Sequence, residues 1–230
     1  MEFLSNNYFL VALTFGVYVG FQYLQRRTGL SLLNPILFAI IIVIAFLEIT
    51  GIDYSTYSEA GGIIEFWLKP AVVALAVPLY KQLESIKKQL LPVICSQLAG
   101  CVAGILSVVV IADLLGATKE VIYSLAAKSV TTPIAMEVTK ALGGIPSLTS
   151  AVVICVGIFG GLTGFRVMKL THIGSPIAQG LSLGTAAHAV GTSRAMDISD
   201  KYGAFASVGL TVNGIFTALL TPAILALLGY

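Results

Sequence analysis

The chain has 230 residues, of which 57% are hydrophobic and 10% are charged, and its formal net charge is +2. A soluble domain carries about 25% charged residues because its surface needs them, so the composition excludes an ordinary soluble domain. The small net charge, without a basic tract, excludes a nucleic-acid-binding surface. A lipid-facing surface explains the deficit of charge, so the sequence predicts an all-α membrane protein that crosses the bilayer several times.

Six apolar runs approach the length of about 20 residues that a bilayer span needs. We predict spans at 8–24, 33–50, 66–80, 91–115, 147–168 and 204–228. The first is interpreted as a retained span, because its sequence lacks the basic region and cleavage site of a signal peptide. The third holds Pro70 and Pro78, so we expect it to be short, tilted or kinked. Residues 51–65 are acidic and contain Gly61-Gly62, which predicts a loop.

Two further segments, 121–142 and 176–202, are apolar but are interrupted by polar residues. Residues 129–133 interrupt the first, and their proline disfavours a helical conformation at the preceding residue. Residues 188–194 interrupt the second, where Gly191 permits unusual backbone dihedrals. Each segment is therefore predicted to be an apolar helix, a polar break and a second apolar helix. At membrane depth such a break persists only where protein or a wet cavity satisfies its polar groups.

The two interrupted segments are related by an internal repeat. Residues 126–139 align with residues 186–199 at a constant offset of 60 positions, and the same offset matches glycines in the two preceding spans. One register that holds through both the spans and the breaks indicates an ancestral duplication. The repeat units are 91–144 and 151–204, each a span followed by a broken segment.

The positive-inside rule separates two topologies for these units. If both broken segments are re-entrant hairpins, Arg166 and Lys169 lie on the cytoplasmic side, each unit crosses an odd number of times, and the repeats are inverted. If the broken segments cross fully, the same two residues lie outside, against the rule. The re-entrant topology is favoured, and full crossing stays open. Inverted repeats with broken helices are typical of secondary transporters.

A transporter of this kind binds its substrate near the bilayer midplane, where the breaks meet. Half-helix N-termini there favour an anion such as a carboxylate. Hydroxyl groups at the breaks can donate to a carboxylate, although the same groups also cap helices and bond to local carbonyls. The predicted substrate-binding residues are Ser129, Thr131, Thr132, Pro133, His188, Gly191, Thr192, Ser193 and Asn213.

Four charged residues are candidates for charge balance or proton coupling, namely Lys128, Glu137, Arg194 and Asp197. Lys128 matches His188 across the repeat, so the two side chains could balance the charge of a bound anion. The alternative is that His188 is an interior histidine whose ring is hydrogen-bonded within the protein. Arg194 could bind the anion or lie at the cytoplasmic rim. Glu137 matches Asp197, and either carboxylate would be a proton-coupling group if deep in the membrane, or solvated if at the interface.

The sequence contains no nucleophile elbow, phosphate-binding loop, HExxH motif or dinucleotide fingerprint. It therefore predicts a protein that is not an enzyme and that holds no cofactor and no metal. The choice that remains lies between a solute carrier and a protein that forms or regulates a membrane pore. A simple pore-former needs amphipathic or oligomerising helices rather than two duplicated broken segments, so the repeat favours the carrier.

Residues 128–135 (KSVTTPIA) and 184–195 (GTAAHAVGTSRA) resemble the LrgB/CidB family, which includes YohK-type bacterial proteins and the C-terminal half of the plant plastid glycolate/glycerate translocator. The resemblance covers essentially the whole chain. It implies transport of small monocarboxylates such as glycolate, glycerate or pyruvate. It alternatively implies an antiholin-like regulator of murein hydrolase export.

The family resemblance also implies partners and a location. The implied partners are a small holin-like membrane subunit of the LrgA/CidA type and further copies of this chain in a homo-oligomer such as a dimer. The implied location is the inner (plasma) membrane. Together with the repeat, it predicts an N-terminal scaffold or oligomerisation part, residues 1–90. Residues 91–230 would be an elevator-like transport part. Proton coupling would require one of the charged residues named above to carry the proton.

Overall fold

The computed structural model describes residues 4–28, 33–67, 70, 73–74, 76–81 and 83–230. These residues are largely helical and include no strand, as the composition predicts. The chain divides into two compact units, Met1–Leu75 and Ala76–Tyr230. The functional roles assigned to residues 1–90 and 91–230 stay predictions.

The first unit contains α1 (Asn7–Thr28), α2 (Pro35–Thr50) and α3 (Tyr54–Phe66). The start of α2 is fixed by Asn34, whose side-chain oxygen accepts hydrogen bonds from the N–H groups of the second and third helical residues at 2.9 and 3.1 Å. This is the usual N-cap arrangement, and the proline that follows suits the first helical position.

The helix α3 corrects the loop predicted over residues 51–65. The Tyr57 hydroxyl lies 3.0 Å from the Thr14 hydroxyl of α1, and Ala60 is fully buried. A glycine inside a helix costs about 0.5–1 kcal/mol relative to alanine. Packing against α1 offsets that cost for Gly61 and Gly62, and the sequence pattern alone does not reveal this contact.

The second unit contains eight helices among its described residues: α4 (Ala76–Lys81), α5 (Leu83–Lys88), α6 (Leu90–Leu114), α7 (Lys119–Ala126), α8 (Thr132–Leu142), α9 (Pro146–Leu170), α10 (Pro176–Met196) and α11 (Asp200–Leu227). In the described part of the chain, α1, α6, α9 and α11 are long and apolar enough to cross a membrane. They correspond to four predicted spans. The helix α2 is apolar but has only 16 residues, and the predicted span 66–80 lies partly outside the described residues.

The first broken segment turns back on itself. The Thr149 hydroxyl of α9 donates to the Ser124 carbonyl oxygen of α7 at 2.9 Å and also lies 2.9 Å from the Thr139 hydroxyl of α8. In one continuous helix, Ser124 and Thr139 would be separated by about 22 Å at 1.5 Å per residue. The helices α7 and α8 therefore lie side by side, joined by the first break, residues 127–131. The interruption predicted at residues 129–133 is wrong in extent, because Thr132 and Pro133 already form the first turn of α8, where a proline is well suited.

The second broken segment, α10, is bent at Ala187 (φ −124°, ψ 17°) and His188 (φ 41°, ψ −132°), which form the second break. In a continuous helix, Leu183 and Gly191 would be separated by about 12 Å, because they are eight residues apart. In the structure, a Cβ atom on Gly191 would collide with the Leu183 carbonyl oxygen. The first arm (176–186) and the second arm (189–196) therefore pack against each other. The interruption predicted at residues 188–194 is thus wrong in extent: residues 189–194 are helical, and Gly191 serves the close approach of the two arms.

Glycines bring the first arm of α10 into close contact with α11. A Cβ atom on Gly180 would lie 2.6 Å from the Tyr202 carbonyl oxygen, and one on Gly209 would lie 2.6 Å from the Leu181 carbonyl oxygen. A Cβ atom on Gly184 would overlap the Ala206 carbonyl group. Small residues of this kind let helix backbones approach in membrane proteins, and here they fix the position of the second break relative to α11.

Gly184→Ala is predicted to lower the stability of the second unit. The added methyl group meets backbone atoms, which cannot rotate away, and overpacking of this kind costs about 1–3 kcal/mol. Gly16→Ala is the control, because a Cβ atom there has no neighbour within 4 Å. Thermal unfolding of the purified proteins in detergent should show a lower Tm for Gly184→Ala only. Equal melting temperatures for all three proteins would contradict the assigned packing.

Candidate functional site

The second unit contains a cavity of about 710 Å³ between α6, the first break, the first arm of α10 and α11. Its lining is mostly apolar, with a few polar side chains, and such a composition is typical of small-molecule sites. The polar residues that matter most for its chemistry are Gln97, Lys128, Ser129, Thr185 and Asn213.

Asn213 of α11 connects the two broken segments. Its side-chain Nδ2 donates to the Ser129 carbonyl oxygen in the first break at 3.3 Å and to the Thr185 carbonyl oxygen in the first arm of α10 at 3.1 Å. If the amide were rotated by half a turn, its oxygen would face two carbonyl oxygens, and all three are acceptors. The hydrogen-bond network therefore assigns the orientation of this amide.

The Oδ1 atom of Asn213 is buried and has no hydrogen-bond partner among the described residues. A buried acceptor left without a donor costs about 1–3 kcal/mol, and folded proteins leave few such atoms. The side chain is 1% exposed and belongs to the cavity wall. The unpaired oxygen is therefore enclosed by protein, although other atoms of the residue line the cavity.

Lys128 gives the cavity a positive charge. Its Nζ donates to the Ser129 hydroxyl at 3.2 Å, and the side chain is half-buried. The ion pairs found among the described residues join other side chains, all of them exposed. A partly buried cation is costly unless an opposite charge compensates it, so a bound anion would stabilise Lys128 in this cavity.

Gln97 and Thr185 are cavity residues that the sequence analysis missed. The Thr185 hydroxyl donates to Gln97 Oε1 at 2.5 Å and so joins α6 to the first arm of α10. Gln97 is 3% exposed although it lies within an apolar helix. The sequence does contain a signal for Gln97, because it is the single amide side chain in the predicted span 91–115. A polar group there requires a partner inside the protein.

The side chains of His188 and Thr192, at and just after the second break, are hydrogen-bonded inside the protein. The His188 ring donates from Nε2 to the Val153 carbonyl oxygen of α9 at 2.8 Å, because a carbonyl oxygen can only accept. The ring occupies the space above Gly157, where a Cβ atom would lie 2.5 Å from its Cε1. The Thr192 hydroxyl donates to the His188 carbonyl oxygen at 2.9 Å. Both side chains are buried away from the cavity.

Three of the predicted site residues, Lys128, Ser129 and Asn213, come together at the cavity. Arg194 and Asp197 form an exposed pair at 3.7 Å, and such surface pairs contribute only about 0–1 kcal/mol. Six other predicted residues also lie outside the cavity. Thr131 and Thr132 are half-buried and Pro133 is exposed where α8 begins, and Glu137 is exposed further along α8. Gly191 and Ser193 belong to the second arm of α10. Their roles in binding stay predictions.

Comparison with known proteins gives a match over nearly the whole chain. A model of the LrgB-like family matches residues 14–227. The antiholin-like protein LrgB of Bacillus subtilis is 32% identical over 230 residues, all of both chains. The protein YxaC of Bacillus subtilis is 34% identical over 213 residues, 93% of both chains, and the antiholin-like protein LrgB of Bacillus cereus is 31% identical over 211 residues, 92% of both chains.

No solved structure matches the chain. The family match and the apolar helices agree on a multi-pass membrane protein. The resemblance seen at residues 128–135 and 184–195 is confirmed by the family match, which includes both stretches. The chain belongs to the LrgB-like family.

Proposed function

We propose that this protein is a secondary transporter of small monocarboxylates, such as glycolate, glycerate or pyruvate, and that the carboxylate binds in the cavity of the second unit. The observation that carries the proposal is Lys128, a cavity cation with no carboxylate partner among the described residues. An anionic solute supplies the missing charge. The Ser129 hydroxyl, 3.2 Å from the lysine Nζ, adds a hydrogen bond to the same carboxylate.

The arrangement of helices supports a carrier built on the repeat. The order α6, α7, first break, α8 recurs as α9, first arm, second break, second arm. The matched residues Ala127 and Ala187, 60 positions apart, have similar backbone angles, φ −94° with ψ 18° and φ −124° with ψ 17°. We infer that the hairpins are re-entrant and that the two units are inverted, as in transporters with broken helices.

The size of the cavity suits a small solute. Ligand sites commonly have volumes of about 300–1,000 Å³, and the 710 Å³ here accommodate an acid of two or three carbons together with water. Elevator-like movement and proton coupling belong to the proposal as ways to expose the site on each side of the inner membrane and to drive uptake. Elevator-like movement rests on the inverted repeats inferred above, and proton coupling stays a prediction.

The names of two relatives favour a second function, that of an antiholin-like protein. By name alone, the comparisons support this function better than transport. In that case the chain regulates or forms a membrane pore together with a holin-like subunit of the LrgA/CidA type, and the cavity is not a solute site. The two functions differ in the kinetics of solute flux, because a carrier saturates and a pore does not.

Lys128→Met is predicted to weaken saturable uptake of labelled glycolate into proteoliposomes that hold the purified chain. Removal of a charge-assisted hydrogen bond worth about 1.5–3 kcal/mol weakens binding roughly 10- to 150-fold. Lys140→Met is the control, because it removes the same charge from an exposed position on α8. Uptake that is equal in the two variants would contradict the role of Lys128.

Flux kinetics should separate the two functions. A carrier is expected to show uptake that saturates with glycolate, is competed by pyruvate and responds to an imposed pH gradient. A pore is expected to give flux that rises linearly with concentration and passes unrelated dyes of similar size. The same assay with the LrgA/CidA-type subunit present tests whether that partner is required. Linear dye-permeable flux with and without the partner, unaltered in Lys128→Met, would overturn the transport proposal.

A further inference from the structure

The side chain of Gln97 has one end fixed and one end free. Its Oε1 lies 2.5 Å from the Thr185 hydroxyl, and two oxygen atoms at this distance need a hydrogen between them. The same hydroxyl lies 2.7 Å from the Leu181 carbonyl oxygen, but that oxygen already accepts the Thr185 N–H within the helix. The single hydroxyl hydrogen is therefore assigned to Gln97, which turns Nε2 away from Thr185. This nitrogen has no hydrogen-bond partner among the described residues.

The free nitrogen is accessible from the cavity. Among the buried side-chain nitrogen and oxygen atoms of the described residues, the one without a partner is Asn213 Oδ1. Gln97 Nε2 also lacks a partner, so it is not one of these enclosed atoms. The residue as a whole is only 3% exposed and lines the cavity, so its small accessible area belongs to the cavity. The two N–H groups of Nε2 can therefore donate to a molecule that enters there.

We propose that Gln97 is a second ligand of the bound carboxylate, whose one oxygen accepts from Gln97 Nε2 while the other accepts from Lys128 and the Ser129 hydroxyl. The inference rests on the proposed function and deepens it, because it assigns a binding residue on α6 in addition to those at the first break. Lys128 provides the opposite charge. Gln97 provides a neutral donor that orients the carboxylate without adding to the charge of the cavity.

A chain of contacts connects Gln97 to Lys128. Thr185 contacts Gln97 through its hydroxyl, and its carbonyl oxygen accepts from Asn213 Nδ2 at 3.1 Å. The same nitrogen donates to the Ser129 carbonyl oxygen at 3.3 Å, and the Ser129 hydroxyl accepts from Lys128 at 3.2 Å. A single nitrogen atom thus joins the residue beside Gln97 to the residue beside Lys128. The free amide and the cation belong to the same part of the cavity wall.

A carboxylate can satisfy both groups at once. An ionised carboxylate only accepts hydrogen bonds, and its two oxygens can each take a separate donor. Hydrogen bonds to an ionised acceptor are about twice as strong as those between neutral groups. The amide of Gln97 therefore gains more from a carboxylate than from water or from the hydroxyl group of a neutral solute.

Gln97→Glu removes the donor and keeps the contact with Thr185. Glutamate has the same length and an oxygen that accepts from the Thr185 hydroxyl, but its second oxygen is an acceptor with negative charge. Binding of labelled glycolate to the purified full chain in lipid nanodiscs is expected to weaken at least roughly tenfold, as for the loss of a hydrogen bond to a charged group. Gln25→Glu is the matched control, because it makes the same change on α1 and does not line the cavity. The control should bind glycolate like the unaltered chain.

Thr185→Val separates a role in binding from a role in joining helices. This variant breaks the same contact between α6 and the first arm of α10 but leaves the N–H groups of Gln97 in place. If Gln97 binds the carboxylate, Thr185→Val should weaken glycolate binding clearly less than Gln97→Glu does. If Gln97 only joins the two helices, the two variants should be about equally weak.

A measurement on the unaltered chain decides the question even if Gln97→Glu fails to insert. The chain carries nitrogen-15 in its glutamine side chains, and the bound glycolate carries carbon-13 in its carboxylate. An amide that donates to a carboxylate oxygen brings its nitrogen within about 4 Å of the carboxylate carbon, so solid-state NMR should detect magnetisation transfer between the two labels. Gln89 also lines the cavity, and a parallel sample of Gln89→Leu should show the same transfer.

Each outcome has a definite meaning. Saturable glycolate binding that is unchanged in Gln97→Glu, or that is weakened equally in Thr185→Val, overturns the role of Gln97 and leaves the transport proposal standing. The absence of transfer between the labels at saturating glycolate, or its loss in Gln89→Leu, does the same. If the unaltered chain binds no glycolate, with or without the holin-like subunit, the transport proposal and the inference are overturned together.

Discussion

The carbonyl groups at a helix break have lost their partners within the helix, so the second unit depends on how the protein satisfies those groups. The amide of Asn213 does this for both broken segments at once, by donating to Ser129 in the first break and to Thr185 beside the second. This one side chain joins α11 to both hairpins. The cavity lies where the three meet, so the site and the support of the fold share the same residue.

Close packing of helix backbones makes this arrangement possible. The two arms of α10 approach at Gly191, and the first arm approaches α11 at Gly180 and Gly184. Without a hydrophobic driving force between helices in lipid, such contacts provide dispersion energy that would otherwise be absent. The glycines therefore bring the hairpins close enough for the short side chain of Asn213 to reach both carbonyl groups. Backbone packing thus permits the hydrogen bonds of Asn213, and these hydrogen bonds hold together the segments that line the cavity.

The sequence predicts much of this architecture because lipid imposes strong rules on composition. Four spans and two broken segments follow from apolar length and polar interruption. Asn213 follows from its cost in lipid, Ser129 from the hydroxyl groups at the first break, and Lys128 from its match to His188 in the repeat. The extent of the second break does not follow, because Gly191 is equally compatible with a break and with a close helix contact. The helix α3 and the Gln97–Thr185 bond depend on contacts between distant residues, which periodicity does not encode.

At two matched positions of the sequence repeat, the two units hold residues with different surroundings. The offset of 60 positions pairs Lys128 with His188 and Gln97 with Gly157. In the second unit of the repeat, the His188 ring occupies the space above Gly157 and bonds to a carbonyl group of α9, so that space is filled. In the first, Gln97 and Lys128 line open space instead. Divergence at two paired positions has thus given one repeat unit a packed contact and left the other with a lysine and a glutamine in the cavity wall.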